Sequence, residues 1–391
     1  MDPRRNPYSP GAGTQPPELA GRDEIIERAA IALDRIRAGR SARSFILYGL
    51  RGVGKTVLLN RIRIEAEARG FSTVHIEAPE NRSLPAILAP NLRSLLLRLS
   101  VKARSKDIAE RGLRAVAGFA RALKFKYQDI EFGVDLPSEP GLADSGDLEF
   151  DLKDLFEAVA NAAAQNQTAV VLFIDELQYI KEEQLEALIT ALHSASQKQL
   201  PITIVAAGLP QLLGQMGKAK SYSERLFEYA EIDKLPTEAA TAALVRPAED
   251  ENVSFEPQAV QNILEQTQGY PYFLQEWGKH AWNTADGQAI TRNDSVNATP
   301  SAIAELDAGF FRVRFDRLTP SEKQYMRAMA ALGPGPHRSG DIATKLGKKV
   351  TTVAPVRNTL IAKGMAYSPA HGDIAFTVPM FDQFLKRILP I

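Results

Sequence analysis

The sequence predicts an α/β protein built on a parallel sheet, followed by a helical domain and a C-terminal winged helix. Three observations predict it. Apolar runs at residues 44–48, 71–76, 168–174 and 202–206 have the length of buried strands, and most are followed by a helical pattern. Strands alternating with helices imply a parallel sheet covered on both faces. Past Ile232 the pattern turns wholly helical, and from Thr319 three short helical stretches precede an alternating one at 366–378, the order of a winged helix.

Taken in order, residues 1–16 are polar and rich in Pro and Gly, a tail expected to be disordered. Residues 17–232 form the sheet core, interrupted by an insertion at about 82–146 that is too long for a bare loop. Within it, residues 92–123 read as helical, 124–134 as two short strands around Gln128 and Asp129, and Asp151 as the start of the next helix. Residues 233–310 read as a helical lid with segments at 236–246, 257–268 and 272–282, and 311–391 as the winged helix. That last part opens on Thr319-Pro320-Ser321-Glu322, a capping box with proline at the first helical position.

Composition bounds the chemistry. Among 391 residues, 47 lysines and arginines balance 47 acids, so overall charge argues for neither a nucleic-acid nor a membrane partner. The absence of cysteine excludes disulfides, thiolate metal sites and a cysteine nucleophile, and it suits a reducing compartment, with cytoplasm as the expectation. No apolar run approaches membrane-spanning length. His75, His193 and His280 lack metal-ligand spacing and read as structural or surface residues.

Between the first strand and its helix stands Gly49-Leu50-Arg51-Gly52-Val53-Gly54-Lys55-Thr56, matching GxxxxGK(S/T). Glycines let backbone amides close around phosphates, and the helix N-terminus adds a favourable dipole. Lys55 is expected to reach the terminal phosphates and Thr56 to ligate magnesium, with Gly49, Arg51, Gly52, Val53 and Gly54 wrapped around the phosphates rather than touching the base, and Val57 beside them. The bland alternative is a glycine-rich turn without a ligand. The run Val170-Val171-Leu172-Phe173-Ile174 ends in Asp175 and Glu176. At the carboxyl edge of a parallel sheet, Asp175 faces the magnesium shell and Glu176 polarises a water; alone, the pair also reads as a strand followed by a helix cap. Together the two motifs point to ATP or ADP with Mg²⁺, and to hydrolysis.

These residues resemble AAA+ P-loop ATPases, more narrowly the origin-recognition-like, archaeal-type branch bordering on STAND-class signalling ATPases. Leu19-Ala20-Gly21-Arg22-Asp23 is similar to the stretch these proteins place before the first helix, and the resemblance implies that Leu19 and Ala20 lie against adenine. Tyr222-Ser223-Glu224-Arg225-Leu226-Phe227 stands where the family carries its arginine finger. Arg225 then completes a neighbouring subunit's site upon self-association; the alternative is a surface ion pair. Gly269-Tyr270-Pro271 is similar to the GxP signature of STAND proteins, which places Pro271 beside the nucleotide and implies a lid that senses it through packing; a simple turn between helices is the other reading. The fourth strand ends Val205-Ala206-Ala207-Gly208, without the polar residue with which the family commonly positions the attacking water, a departure that favours slow turnover.

Residues 319–391 hold ten lysines and arginines against four acids. Such a basic winged helix places the start of 352–363 in the major groove of duplex DNA, with Lys348, Lys349, Thr351, Thr352 and Arg357 near phosphates or base edges and a hairpin at 370–373 toward the next groove. Winged helices also serve as protein contacts. Residues 92–127 carry ten basic residues against Asp107 and Glu110. They read either as a face for nucleic acid or anionic membrane, or as a solvated helix face whose leucines 95, 96, 97 and 99 pack on the core. Two functions are therefore expected: an ATPase coupled to a DNA-binding winged helix, or a nucleotide-gated switch with a protein partner and little turnover.

Overall fold

The computed structural model describes residues 1–11, 13–14, 16–78, 80–100, 106–130 and 137–389. Its centre is a five-stranded parallel sheet of β1 (Ser44–Tyr48), β2 (Ser72–Glu77), β3 (Val170–Asp175), β4 (Ile202–Gly208) and β5 (Phe227–Glu231), in the order β2-β3-β4-β1-β5. Period-two alternation divides the strands between two cores. Ile46, Leu172, Ile174 and Ile204 pack under the helices Leu84–Ser100, Leu148–Gln165 and Glu182–Gln197. Phe45, Val171, Phe173 and Val205 pack under Asp23–Arg37 and Lys55–Ala68. Burial on both sides explains why β3 and β4 read as continuous apolar runs. Register then brings Tyr48 beside Gly208 and Glu77 beside Asp175, so the strand ends carrying the candidate residues share one edge.

The insertion folds as Leu84–Ser100 and Lys106–Leu123, packed against each other and against Leu148–Gln165. Leu95, Leu96 and Leu99 are buried there, as the packing reading expected, and Leu97 is partly exposed. A Cβ on Gly112 would stand 2.7 Å from Leu96, so this glycine permits the close approach. Several of the basic residues are tied to acids or backbone: Arg111 and Arg114 face Glu139, Lys126 faces Glu183, and Arg98 donates to the Thr73 carbonyl. Two local expectations change. Residues 124–129 form turns rather than a strand, and the remainder of that stretch, 131–134, lies outside the described residues. Asp147, not Asp151, caps the following helix; the Asp151 carboxylate instead accepts the N–H groups of Ser145 and Gly146 and closes the preceding loop.

The helical region comprises Thr237–Asp250, Pro257–Thr267, Pro271–Thr284 and Arg292–Glu305, and it also contains a small parallel pair, β6 (Ser254–Phe255) with β7 (Ala289–Ile290), too short for periodicity to reveal. A π-helical stretch, Leu306–Phe311, leads out of it. The C-terminal region holds Pro320–Leu332, Ser339–Lys345 and Val350–Ala362, then Phe381–Ile388, around an antiparallel sheet of β8 (His337–Arg338), β9 (Ala366–Tyr367) and β10 (Asp373–Phe376) in the order β8-β10-β9. Thr319 and Glu322 make the reciprocal capping contacts their spacing demands. One apolar cluster containing Trp277, Phe311, Phe315 and Phe384 runs through both regions, so they pack as a continuous body.

The N-terminal segment, expected to be disordered, is held on the helical region. The Trp282 indole donates to the Asp2 carbonyl at 3.0 Å, Arg5 pairs with Glu251 at 2.8 Å, and Asn6 donates to the Lys279 carbonyl at 3.0 Å. Tyr8 is 3% exposed, its hydroxyl donating to the Leu244 carbonyl, its ring filling the space that Gly278 leaves. An aromatic buried at this depth supplies the apolar area that offsets the ordering entropy of an otherwise polar segment. Among the described residues no helix is long and apolar enough to cross a membrane.

Candidate nucleotide site

The glycine-rich loop turns from β1 into Lys55–Ala68 at the sheet's carboxyl edge. Gly54 adopts φ 90° and ψ 18°, a left-handed conformation that glycine takes without strain. At Gly49 any Cβ would sit 1.9 Å from the Ile232 carbonyl, so only glycine lets the loop leave the strand here. The Lys55 side chain folds back into the loop, its ammonium donating to the Leu50 carbonyl at 2.8 Å. Burial pulls that ammonium down to about 8, against the upward pull of Glu176.

The two motifs meet directly. The Thr56 hydroxyl donates to Asp175 Oδ2 at 2.6 Å. Asp175 is 5% exposed; burial raises its pKa, and the Thr56 hydrogen bond opposes the rise. Its other oxygen accepts the Glu176 N–H at 2.8 Å. Glu176 stands at φ 54° and ψ 38°, uncommon for a side chain larger than glycine and a conformation that collects at functional sites. Its carboxylate lies 3.6 Å from Arg51 and accepts a hydrogen bond from the Gln178 amide.

A cavity of about 600 Å³ opens over these groups, within the range of small-molecule sites. Its wall unites Arg51, Gly52, Val53, Gly54, Lys55, Thr56 and Val57 with Asp175 and Glu176, and adds Leu19, Ala20 and Pro271 from the two flanking segments. Gly49 is not part of this wall, and the exposed Arg225, on the short helix Ser223–Leu226, stands apart from it as well. No ion-pair or hydrogen-bond partner of the Arg225 side chain occurs among the described residues.

Other wall residues have no signature in the sequence. Ser9, Pro10, Gly11, Gly13, Thr14 and Pro16 bring the N-terminal segment across the cavity, beside Thr56. Phe310, Arg314, Arg317, Lys363 and Met365 come from beyond the helical region. The Arg314 guanidinium stacks 4.2 Å from the Phe310 ring centre and donates to the Phe310 carbonyl, and no carboxylate pairs with it among the described residues. Burial first, then Arg51, pulls it down to about 10. Arg314, Arg51 and Lys55 thus share one cavity wall with the carboxylates of Asp175 and Glu176. The C-terminal region also touches the loop itself: the Arg51 N–H donates to the Thr377 carbonyl at 2.9 Å.

Comparison with known proteins fits this geometry. Residues 18–205 match the family model of the AAA ATPase domain, and residues 308–385 match that of a domain of unknown function, DUF8462. No curated protein matches the chain. Among solved structures, a Walker-type ATPase of Pyrococcus abyssi is similar over 97% of this chain and 99% of its own, with 15% identity and a TM-score of 0.56. The Orc1 protein of Aeropyrum pernix in complex with DNA aligns over 98% of this chain and 96% of its own, with 14% identity and a TM-score of 0.48. The phosphate loop and most of the parallel sheet thus fall within the stretch 18–205 that matches the AAA ATPase domain model, and most of the C-terminal region falls within the stretch that matches a domain of unknown function.

Proposed function

We propose that this protein binds ATP or ADP with magnesium, hydrolyses ATP slowly, and uses the nucleotide state to set the position of a C-terminal winged helix that binds duplex DNA. The observation that carries the reading is the 2.6 Å contact between Thr56 and Asp175 on the floor of one cavity with Lys55 and Glu176. A hydroxyl and a carboxylate are hard oxygen donors that suit Mg²⁺, which keeps waters and completes its shell from substrate phosphates. In that arrangement Lys55 and the loop amides hold the phosphates, Thr56 and Asp175 hold the metal, and Glu176 activates water. Leu19 and Ala20 lie against the base, Pro271 flanks it, and Arg225 serves a neighbouring copy's site upon self-association.

The C-terminal domain feels the nucleotide through Arg314, whose charge a phosphate neutralises, rather than through packing at Pro271 alone. DNA binding draws support from the three-helix and antiparallel-sheet arrangement and from exposed Lys345, Lys348 and Lys349. Part of the helix Val350–Ala362, however, faces a cleft walled by Gln211, Leu213 and Lys218 of the core, and Arg357 is engaged by Ser368 and the Asp373 carbonyl. A major groove reaches that surface only after the domain swings away from the core. This closed packing favours a second reading, a nucleotide-gated switch whose partner is a protein.

Steady-state ATP hydrolysis against protein concentration, with and without mixed duplex, separates the two. Turnover that rises with concentration and again with duplex supports the ATPase coupled to DNA; tightly retained nucleotide with no turnover selects the switch and refutes hydrolysis.

The lysine adds a pH dependence with a definite sign. Phosphate favours the charged Lys55, whose pKa in the nucleotide-free protein is about 8. Below that pH no proton is taken up on binding, and above it one is. ATP affinity is therefore expected to stay level up to about pH 8 and to weaken by up to about tenfold per further unit. Titration with a fluorescent ATP analogue measures it, and affinity level through pH values about two units above the lysine's own would remove Lys55 from the phosphate contacts.

A further inference from the structure

We propose that Gln178 is the positioning residue for the Glu176 carboxylate, taking over from the helical turn after β3 the polar contact that β4 lacks. The inference rests on the hydrolytic reading above and adds to it a residue outside both motifs.

The end of β4 has no room for a polar side chain of its own. A Cβ on Gly208 would stand 2.7 Å from Leu212 and 2.8 Å from Gln178 Oε1. The space such a side chain needs is already filled by the Gln178 amide, which is 5% exposed. Both ends of that amide are used. Oε1 accepts the Leu209 N–H at 3.0 Å, and Nε2 donates to Glu176. The assignment of oxygen and nitrogen is forced by the partners: a backbone N–H only donates and an ionised carboxylate only accepts, so the reversed amide would lose both bonds. The main chain is fixed as well, since Gln215 donates to the Gln178 carbonyl at 3.2 Å.

One hydrogen-bonded path therefore joins the phosphate loop to the carboxylate. The Gly49 N–H donates to the Gly208 carbonyl at 3.3 Å, Leu209 follows in the chain, and Gln178 links Leu209 to Glu176. Gln178 does not line the nucleotide cavity, whereas Glu176 does, so its influence on chemistry passes through Glu176. Its donor is neutral. Arg51, 3.6 Å away on the other side, competes for the same carboxylate with a full charge that neutralises the base it holds. A neutral amide fixes the direction of the carboxylate and leaves it able to take a proton from water.

The test uses Gln178→Met, which keeps side-chain length and removes both hydrogen bonds, and Gln178→Glu, which keeps an acceptor for Leu209 and sets a negative charge against Glu176. Turnover, KM, nucleotide affinity by direct titration and thermal midpoint are measured for each, and for Gln178→Met combined with Glu176→Gln. The expected result is a kcat lower by about 10- to 100-fold in both single variants, with KM and affinity within about twofold. The double variant should hydrolyse no more slowly than Glu176→Gln alone, because the effect of Gln178 is spent on a group already removed. A Gln178→Met protein with a lower midpoint but parental kcat overturns the proposal and leaves a structural role only; so does a further loss of rate in the double variant. A parent that binds ATP but never turns it over defeats the hydrolytic reading itself and takes this proposal with it, an outcome distinct from normal parental turnover with an indifferent Gln178.

Discussion

A Glu176→Gln protein is expected to bind ATP as the parent does, within about threefold, and to hydrolyse it at least about 100-fold more slowly, the usual contribution of a positioned general base. The separation follows from the geometry. The groups proposed to hold phosphates and metal are Lys55, Thr56 and Asp175, and the substitution alters none of them. Glutamine keeps the volume and one oxygen, so the left-handed turn at φ 54° and the Asp175 contact to the Glu176 N–H both persist. What disappears is the capacity to accept a proton, together with the charge that faces Arg51 at 3.6 Å. Phosphate release and a nucleotide titration on the same preparation measure the two quantities. Hydrolysis within about threefold of the parent would strip Glu176 of its role and leave Asp175 with its metal as the whole of the acidic motif.

The sequence reveals those elements whose causes are local. The apolar run, the glycines and Lys55-Thr56 are contiguous, and so are β3, Asp175 and Glu176; parallel pairing then leaves one arrangement in which both motifs share an edge. The Thr319 and Glu322 capping box is likewise written in four residues. Periodicity identifies an apolar face but not what covers it, so the leucines of the insertion remain open between core and partner until Gly112 and Leu96 are seen in contact. Groups placed only by contacts elsewhere in the fold leave no local signal. Tyr8 sits in a segment whose composition reads as disordered, and only the gap above Gly278 explains its burial. Gln178 reads as an ordinary polar residue of a turn until the glycine ending β4 is recognised as the space it occupies. Arg314 lies in the short helix Arg312–Asp316, whose other charged side chains face solvent, and nothing in that run marks one arginine as half-buried against the cavity.

Replacing Arg314 with methionine is expected to change ATP affinity and stability in opposite directions. In the nucleotide-free protein the guanidinium is desolvated, stacked on Phe310 and without an ion-pair partner among the described residues, and burial together with Arg51 already pulls its pKa down to about 10. A desolvated cation without an ion-pair partner among the described residues is destabilising, so an apolar side chain of similar length should leave the thermal midpoint unchanged or raise it. With nucleotide the balance reverses, because a charge-assisted hydrogen bond to phosphate contributes about 1.5–3 kcal/mol, or roughly a 10- to 100-fold loss of affinity when removed. ATP should suffer more than ADP if the contact is to the terminal phosphate. Lysine is expected to restore affinity only in part, since it keeps the charge but lacks the planar face that stacks on Phe310. Arg314 belongs to the stretch 308–385 that matches a domain of unknown function, and the same stretch meets the phosphate loop through Thr377. Loss of the nucleotide-induced rise in midpoint in Arg314→Met would therefore identify the route by which that domain registers what the cavity holds. An unaltered rise, with ATP affinity within about twofold of the parent, would mean that the C-terminal domain rests against the ATPase core without sensing its nucleotide.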